Sequence, residues 1–311
     1  MRTILRTIVG SRGTSAICCT LALVAAGCSS AANPTAGAGH KMQIVAAENF
    51  WGSIAAQLAG SDGDVTSIIT NPATDPHAYE ATAGDARTVA SAPLVIENGI
   101  GYDPWMQQLI NASPLSGRVV LNVGDVLGMR AGGNPHQWYS AASVEHVIAR
   151  LTSDLATVDP AHRSDYVRNA HTFETRTLAP YNALIAQIRQ RYTGTPIGAS
   201  ESIVTPLAQT LGLKMMTPES FLDAIAEGTE PTTNDKETAD TQIHEHQIKV
   251  FVFNSQNSTP DIQRLVRESR SNGIPVTTVT ETLAPASATF QAWQVSELRR
   301  LEAALARADS K

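Results

Sequence analysis

PLVIE at residues 93–97 is an apolar run rich in β-branched side chains, and similar runs recur through the first half of the chain. They are MQIVAA (42–47), VTSII (65–69) and VVLNV (119–123). Helical patterns lie between them, near 51–60, 81–91 and 102–112. Runs that are apolar throughout and alternate with helices indicate parallel strands buried on both faces. This half of the sequence therefore predicts an α/β lobe.

The second half repeats the same plan. Its apolar runs are PIGA (196–199), LKMM (213–216), KVFVF (249–253) and PVTTV (275–279). About 270 residues remain once the N-terminal segment is set aside, which is enough for two lobes of ordinary size. The predicted fold class is α/β, with two β/α lobes that have mostly parallel sheets and are bridged by a long backbone helix.

That bridging helix is predicted from a long helical pattern between the two halves. It opens at Asp159-Pro160, an acidic N-cap followed by proline at the first helical position, and it stops at Gly194. About 33 residues would reach roughly 50 Å, enough to run the height of both lobes. Because proline removes a backbone hydrogen bond, we expect a bend or break at Pro180. Two consecutive helices of the second lobe are the alternative.

The first 27 residues have the pattern of a secretory signal peptide. Three arginines form a basic start, an apolar stretch follows over 16–26, and Cys28 comes shortly after it. The apolar stretch is far shorter than the roughly 20 residues that span a bilayer. We therefore predict cleavage before Cys28, lipidation of that cysteine and a flexible tether over 28–41. The mature protein would be anchored to the outer face of the cytoplasmic membrane.

Cysteine content and charge exclude several classes of protein. Cys18 and Cys19 leave with the signal peptide and Cys28 carries the lipid, so neither a disulfide framework nor a thiolate metal site is expected. Removal of residues 1–27 takes away three arginines and no acid, so the formal charge changes from −6 to −9. This charge argues against nucleic acid as a partner and against a polybasic membrane patch.

Four short strings each place one metal-binding side chain in a segment that leaves a predicted strand. They are DPHAYE (75–80) with His77, NPHQWYS (134–140) with His136, ASES (199–202) with Glu201 and TETLA (280–284) with Glu281. Ligands in open α/β sheets bind in the crevice at the carboxyl ends of the strands. Since each lobe contributes two donors, we predict one ion in the cleft between the lobes. Two imidazoles and two carboxylates suit a divalent ion such as Mn, Fe or Zn.

The same strings resemble those of a known family. The HxYE string at 77–80, NGIGYDPW at 98–105, the PHxW string at 135–138 and TETLA follow in order across nearly all of the mature chain. In these motifs the chain is similar to the metal-binding lipoproteins of bacterial ABC importers, the zinc- and manganese-specific solute-binding family. The resemblance implies two lobes bridged by a long helix, and a monomer that captures a divalent ion and delivers it to a permease and its ATPase.

The resemblance also implies a role for each donor. His77 and His136 take the family's first two ligand positions, Glu201 takes a third that is histidine or glutamate among relatives, and Glu281 stands where aspartate is usual. The extra methylene of Glu281 leaves the coordination number open. Relatives with glutamate at the third position tend to handle manganese, and two hard carboxylates favour Mn(II) or Fe(II), although raw affinity rises toward Zn(II). We favour manganese over zinc, with iron as a third candidate.

Residues beside the donors each have two interpretations. Tyr79 and Glu80 either orient the His77 imidazole or start the next helix. Trp138 either excludes water from the cleft or fills the core.

His244 and His246 form a second histidine pair, within a polar helix predicted over 232–247. Side chains two positions apart on a helix face different directions, so the pair is not expected to share an ion. We predict a solvated helix end there.

An extracytoplasmic metallohydrolase is the main alternative function. A catalytic zinc typically keeps three protein ligands and an open position for water, whereas this chain offers four donors and contains no HExxH string. We therefore predict a protein that is not an enzyme. A surface adhesin with a structural metal is a second alternative. The predicted organisation is a signal peptide (1–27), a tether (28–41), an N-terminal α/β lobe (42–158), a linking helix (159–193) and a C-terminal α/β lobe (194–311).

Overall fold

The computed structural model describes residues 41–74, 76 and 79–310, and the chain from Lys41 onward forms one compact unit. The predicted signal peptide, Cys28 and all but the last residue of the predicted tether lie outside the described residues. Within the part that is described, every helix is too short or too polar to cross a bilayer.

The first sheet contains four parallel strands in the order β2-β1-β3-β4. The strands are β1 (Met42–Glu48), β2 (Gly63–Ile69), β3 (Leu94–Glu97) and β4 (Val119–Asn122). They alternate with helices α1 (Asn49–Ala59), α2 (Ala83–Ala90), α3 (Pro104–Ala112) and α4 (Val123–Leu127). All four residues of β3 are buried, as a strand covered by helices on both faces requires. The four predicted strands are confirmed.

Three helices then carry the chain to the second sheet. They are α5 (Ala141–Val158), α6 (Arg163–Thr172) and α7 (Ala179–Tyr192). A 3₁₀ turn at Pro160–His162 leads into α6, so the helical pattern does open after Asp159. Residues Phe173–Thr177 are π-helical, and the Leu178 N–H donates to the Phe173 carbonyl at 2.8 Å, five residues back. The regular helix is therefore interrupted just before Pro180, where an interruption was expected.

The second sheet repeats the topology of the first, in the parallel order β6-β5-β7-β8. Its strands are β5 (Pro196–Ala199), β6 (Lys214–Met215), β7 (Val250–Asn254) and β8 (Val276–Val279). The accompanying helices are α8 (Val204–Leu211), α9 (Glu219–Ala226), α10 (Thr233–His244), α11 (Pro260–Ser271) and α12 (Phe290–Asp309). We call β1–β4 with α1–α5 the first lobe, and β5–β8 with α8–α12 the second lobe.

One apolar core runs through both lobes. Ile44 and Leu94 of the first sheet belong to the same buried cluster as Ile197 and Val252 of the second. Polar contacts cross the boundary as well, since the Phe290 N–H at the start of α12 donates to Ser53 Oγ of α1 at 2.9 Å. The carboxyl ends of the two sheets are thus held in a defined relation by packed side chains.

Candidate metal centre

Three of the four predicted donors converge between the lobes. One nitrogen of His136 and one carboxylate oxygen each from Glu201 and Glu281 lie within 4.8 Å of one another. All three side chains are buried, with exposed fractions of 0%, 1% and 3%. Two ligand atoms with bonds of about 2.1 Å to the same ion lie at most about 4.2 Å apart, so the side chains need to move closer together by about half an ångström or more when an ion binds. The fourth predicted donor, His77, lies outside the described residues.

Asn134 fixes both the position and the tautomer of the His136 ring. Its Oδ1 accepts the backbone N–H of His136 at 3.0 Å and lies 2.9 Å from Nδ1 of the same residue. Its Nδ2 donates to the Ser202 carbonyl of the second lobe at 2.7 Å, which identifies Oδ1 as the acceptor. Nδ1 is therefore the protonated ring nitrogen, and Nε2 carries the lone pair that a metal ion would use.

Two asparagines, one at the end of β7 and one in the segment after it, orient the carboxylates. Asn254, the last residue of β7, donates from the same Nδ2 to Glu201 Oε1 at 2.7 Å and to Glu281 Oε1 at 2.8 Å. Asn257 Nδ2 donates to Glu201 Oε2 at 2.7 Å. These donors are neutral, so they aim the carboxylates without cancelling their charge.

Glu281 is also held by a tyrosine of the first lobe and by a glutamine side chain that contacts its backbone N–H. The Tyr102 hydroxyl donates to Glu281 Oε2 at 2.7 Å, across the boundary between the lobes. Gln256 Oε1 accepts the backbone N–H of Glu281 at 2.5 Å and that of Thr282 at 3.0 Å. Burial and the nearby carboxylates raise the pKa of Tyr102 well above its ordinary value, so the hydroxyl keeps its proton and remains a donor.

Further buried acids surround the group on the side of the first lobe. Glu48 ends β1 with no exposed surface, and in the described part of the chain neither of its side-chain oxygens has a hydrogen-bond partner. Burial, then the charges of Asp103, Glu97 and Glu281, raise the pKa of Glu48 well above its ordinary value. Burial and the charge of Glu97 likewise raise the pKa of Asp103 to about 7. The site therefore has an environment that favours a cation.

The residues beside the predicted histidines lie in different surroundings. The Tyr79 hydroxyl donates to Asp85 Oδ2 at 2.8 Å, and Asp85 forms the capping box of α2 with Thr82. Glu80 is exposed. The structure thus places Tyr79 beside the start of the next helix, which was one of its two interpretations. Trp138 stacks on Phe50 at 3.9 Å between ring centroids.

Trp138 fills the core, which was one of its two interpretations. It is fully buried in the core that joins the lobes, and its ring lies edge-on to the His136 imidazole at 5.3 Å. The second histidine pair does not form a site among the described residues: α10 ends at His244, and His244 Nε2 lies 3.9 Å from Glu268. His246 follows outside the helix.

Sequence reasoning missed the groups that hold the donors in place. Asn134, Asn254 and Tyr102 were each inside or next to a quoted string, but none was singled out. Asn254 carried a usable signal, because a polar side chain directly after the apolar run KVFVF stands at the carboxyl end of a buried strand.

Comparison with known proteins gives a consistent family assignment. The sequence profile of the family described as zinc-uptake complex component A, periplasmic, matches residues 44–304. The manganese-binding lipoprotein MntA of Halalkalibacterium halodurans is 30% identical over 156 residues, which cover 49% of this chain and 52% of that protein. The iron-binding protein YfeA of Yersinia pestis is 29% identical over 185 residues, or 56% and 58% of the two chains. The chain thus spans little more than half the length of these relatives.

Solved structures support the fold. The Mn-bound S38A mutant of a periplasmic metal-binding protein from Candidatus Liberibacter asiaticus superposes with a TM-score of 0.72 at 20% identity, covering 85% of this chain and all of that one. A mutant of the laminin-binding adhesin of Streptococcus agalactiae gives a TM-score of 0.69 at 19% identity, covering 85% of this chain and 99% of that one. At these identities the likeness concerns the fold alone.

Proposed function

The chain belongs to the zinc-uptake component A family, and from that premise we propose that it captures one divalent transition-metal ion outside the cytoplasm and delivers it to an ABC importer. The observation that carries the proposal is the convergence of His136 from one lobe with Glu201 and Glu281 from the other within 4.8 Å. His77 is proposed as the fourth ligand on the strength of its motif. In this account the ion is the cargo of the protein and not a resident cofactor.

The donor set favours Mn(II) as the substrate. Two buried carboxylates give the site hard oxygen ligands, and the neutral amides of Asn254 and Asn257 leave their negative charge available to the ion. Two relatives are named as a manganese-binding and an iron-binding protein, which supports Mn(II) or a similar ion as the substrate. Zn(II) would also bind tightly, because affinity for N and O ligands rises toward the end of the first transition row.

Acidic residues along one side of a cleft between the lobes support capture of a cation. This cleft is lined by Gly132, Gly133 and Asn134 on one side and by Ser202 and α9 on the other. Three acids four positions apart line this side of the cleft: Glu219 and Asp223 of α9, and Glu227, the residue directly after the helix. Burial and the charges of Glu219 and Glu227 raise the pKa of Asp223. A concentration of negative charge of this kind accelerates the approach of cations and is screened by salt.

The proposed setting is the outer face of the cytoplasmic membrane. The signal pattern and Cys28 support export and a lipid anchor, and the relatives named as lipoproteins agree with it. A permease and its ATPase are the proposed partners, with the protein acting as a monomer. The lobe limits 42–158 and 194–311 remain proposals, as does the absence of enzyme activity.

Metal analysis of site variants tests the proposal. The purified full chain is expected to hold close to one Mn(II) per molecule, and His136→Ala or Glu201→Ala should weaken binding steeply. His146→Ala and Glu237→Ala are matched controls, since both residues are exposed on helices. Stoichiometry and affinity that are the same in the site variants and in the controls would refute the site. A hydrolytic activity that follows metal content would favour the enzyme alternative.

A further inference from the structure

A buried polar network connects the loop that carries His136 with the strand end that carries Glu281. Tyr139 closes the single 3₁₀ turn that starts after His136, and its N–H donates to the His136 carbonyl at 3.2 Å. The Tyr139 hydroxyl donates to the carbonyl of Thr280 at 2.7 Å. Because Thr280 is bonded directly to Glu281, one hydrogen bond ties together backbone segments that carry donors from opposite lobes.

Glu297 of α12 contacts both residues joined by this hydrogen bond, Tyr139 and Thr280, which we call the junction. Its Oε2 lies in hydrogen-bond contact with the Tyr139 hydroxyl, and its Oε1 lies 3.0 Å from both Thr280 Oγ1 and Trp293 Nε1. Trp293 Nε1 also donates to Thr280 Oγ1 at 2.8 Å. All four side chains are at least nine-tenths buried. Glu297 thus contacts both residues of the junction.

Counting hydrogens shows that the junction needs a proton on Glu297. The Tyr139 hydroxyl has one hydrogen, yet its oxygen lies beside two acceptors, the Thr280 carbonyl and Glu297 Oε2. If Glu297 is protonated on Oε2, it donates to Tyr139, and Tyr139 donates to the Thr280 carbonyl, so each of the two contacts of the Tyr139 oxygen has its own hydrogen. In agreement, burial raises the pKa of Glu297 to about 7 against the opposing effects of Tyr139 and of Arg300, whose guanidinium lies 3.4 Å away.

We propose that Glu297 is a positioning residue for the metal site, and that through Tyr139 and Thr280 it sets the spacing between His136 and Glu281. The inference rests on the proposed function, because it assumes that these two residues bind the ion. It assigns a role to a residue 16 positions beyond Glu281 that no motif includes. Metal ligands depend on the groups that orient them, and loss of such a group typically weakens binding about 10- to 100-fold.

Two variants of Glu297 separate positioning from mere packing. Glu297→Gln keeps the shape and, as an amide, still donates to Tyr139, so it imitates the neutral acid and should keep native metal binding. Glu297→Leu removes every hydrogen bond that Glu297 makes, and it should weaken binding of Mn(II) and Co(II) about 10- to 100-fold. The visible absorption of bound Co(II) should change as well, because the spectrum reports ligand geometry. Affinity is measured by competition with a chelator on the purified full chain.

Gln294→Leu is the matched control on the same helix. Gln294 is equally buried, and in the described part of the chain neither of its amide atoms has a hydrogen-bond partner. This variant should leave both the affinity and the Co(II) spectrum unchanged. If Glu297→Leu does not fold, Tyr139→Phe removes the same junction while keeping the ring, and it is expected to give the same spectral change and loss of affinity.

His136→Ala serves as the reference that distinguishes two failures. If His136→Ala abolishes binding while Glu297→Leu and Tyr139→Phe keep native affinity and spectrum, the positioning role is refuted and the proposed function stands. If His136→Ala itself leaves binding unchanged, the site and the positioning role are both refuted.

Discussion

Replacing Asn254 with leucine tests how the two carboxylates of the site are held. The Asn254 amide is fully buried and donates to Glu201 at 2.7 Å and to Glu281 at 2.8 Å. Hydrogen bonds to charged groups contribute roughly 1.5–3 kcal/mol each to stability. The loss of unfolding free energy is smaller than the sum for two such bonds, because one carboxyl can take up a proton when the amide is gone. We therefore expect the metal-free variant to lose about 3 kcal/mol of unfolding free energy at neutral pH.

Two opposing effects act on metal binding in the Asn254→Leu variant. Without the amide, the carboxylates carry more uncompensated charge, which attracts a cation, but they are no longer aimed at one point. We expect orientation to dominate, with affinity for Mn(II) falling about 10- to 100-fold. Denaturant titration of the metal-free protein measures the first effect, and chelator competition measures the second.

Asn122→Leu is the control for both measurements. Asn122 ends β4 in the first sheet and donates to Glu97 Oε1 at 2.7 Å, so it makes a similar bond away from the donors. Its loss should lower stability and change metal affinity far less than Asn254→Leu does, because Glu97 is not a proposed ligand. An Asn254→Leu variant that binds Mn(II) as tightly as the wild type, or more tightly, would refute the idea that the amide organises the site.

Three further predictions concern pH and the surroundings of the site. The free energy of unfolding of the metal-free protein should fall as pH rises from about 4.5 to about 7. Burial raises the pKa of Glu48 well above 4.5 and that of Glu297 to about 7, so the folded protein binds more protons than the unfolded chain in this window. Denaturant titrations at several pH values should show that the free energy of unfolding of Glu297→Gln falls less steeply with pH. Trp138→Ala should cost about 3–5 kcal/mol, and Trp138→Phe clearly less, since the ring is fully buried against Phe50; equal losses in thermal or chemical unfolding would contradict this. Tyr79→Phe should cost about 1 kcal/mol or less by losing its bond to Asp85, and an accompanying large loss of Mn(II) affinity would restore Tyr79 as a partner of the metal site.

The fold was predictable because the central strands of both sheets, such as β3 and β7, are buried on both faces. Such strands appear as continuous apolar runs, and runs such as PLVIE and KVFVF coincide with β3 and β7 to within one residue. The linking segment was predictable because its prolines and its final glycine are local signals. The predicted capping by Asp159 was wrong in detail, since its side chain makes no capping hydrogen bond and contacts His162 and Tyr166 instead. The π-helical turn at 173–177 was not predictable in detail, because several ways of bridging the lost hydrogen bond at Pro180 have similar energies.

The convergence of His136, Glu201 and Glu281 was predictable, whereas most of the groups that contact them were not. His136, Glu201 and Glu281 follow strands, and the carboxyl ends of parallel strands meet at one edge. Asn254, Tyr102 and Glu297 act through contacts between segments that are far apart in the chain, such as the Tyr102–Glu281 bond across 179 positions. Packing of the two lobes brings Tyr102 to Glu281 and Glu297 to Tyr139, and the sequence carries no local sign of either contact. Asn254 meets Glu201 and Glu281 within the second lobe, and its position after a buried strand is its one local sign.

Anomalous diffraction at the manganese edge, from crystals of the Mn(II)-loaded protein, tests the central claim most directly. We predict a single peak at about 2.0–2.3 Å from His136 Nε2 and from carboxylate oxygens of both Glu201 and Glu281. A peak whose ligands all come from one lobe, or one that lies away from these three side chains, would contradict the account.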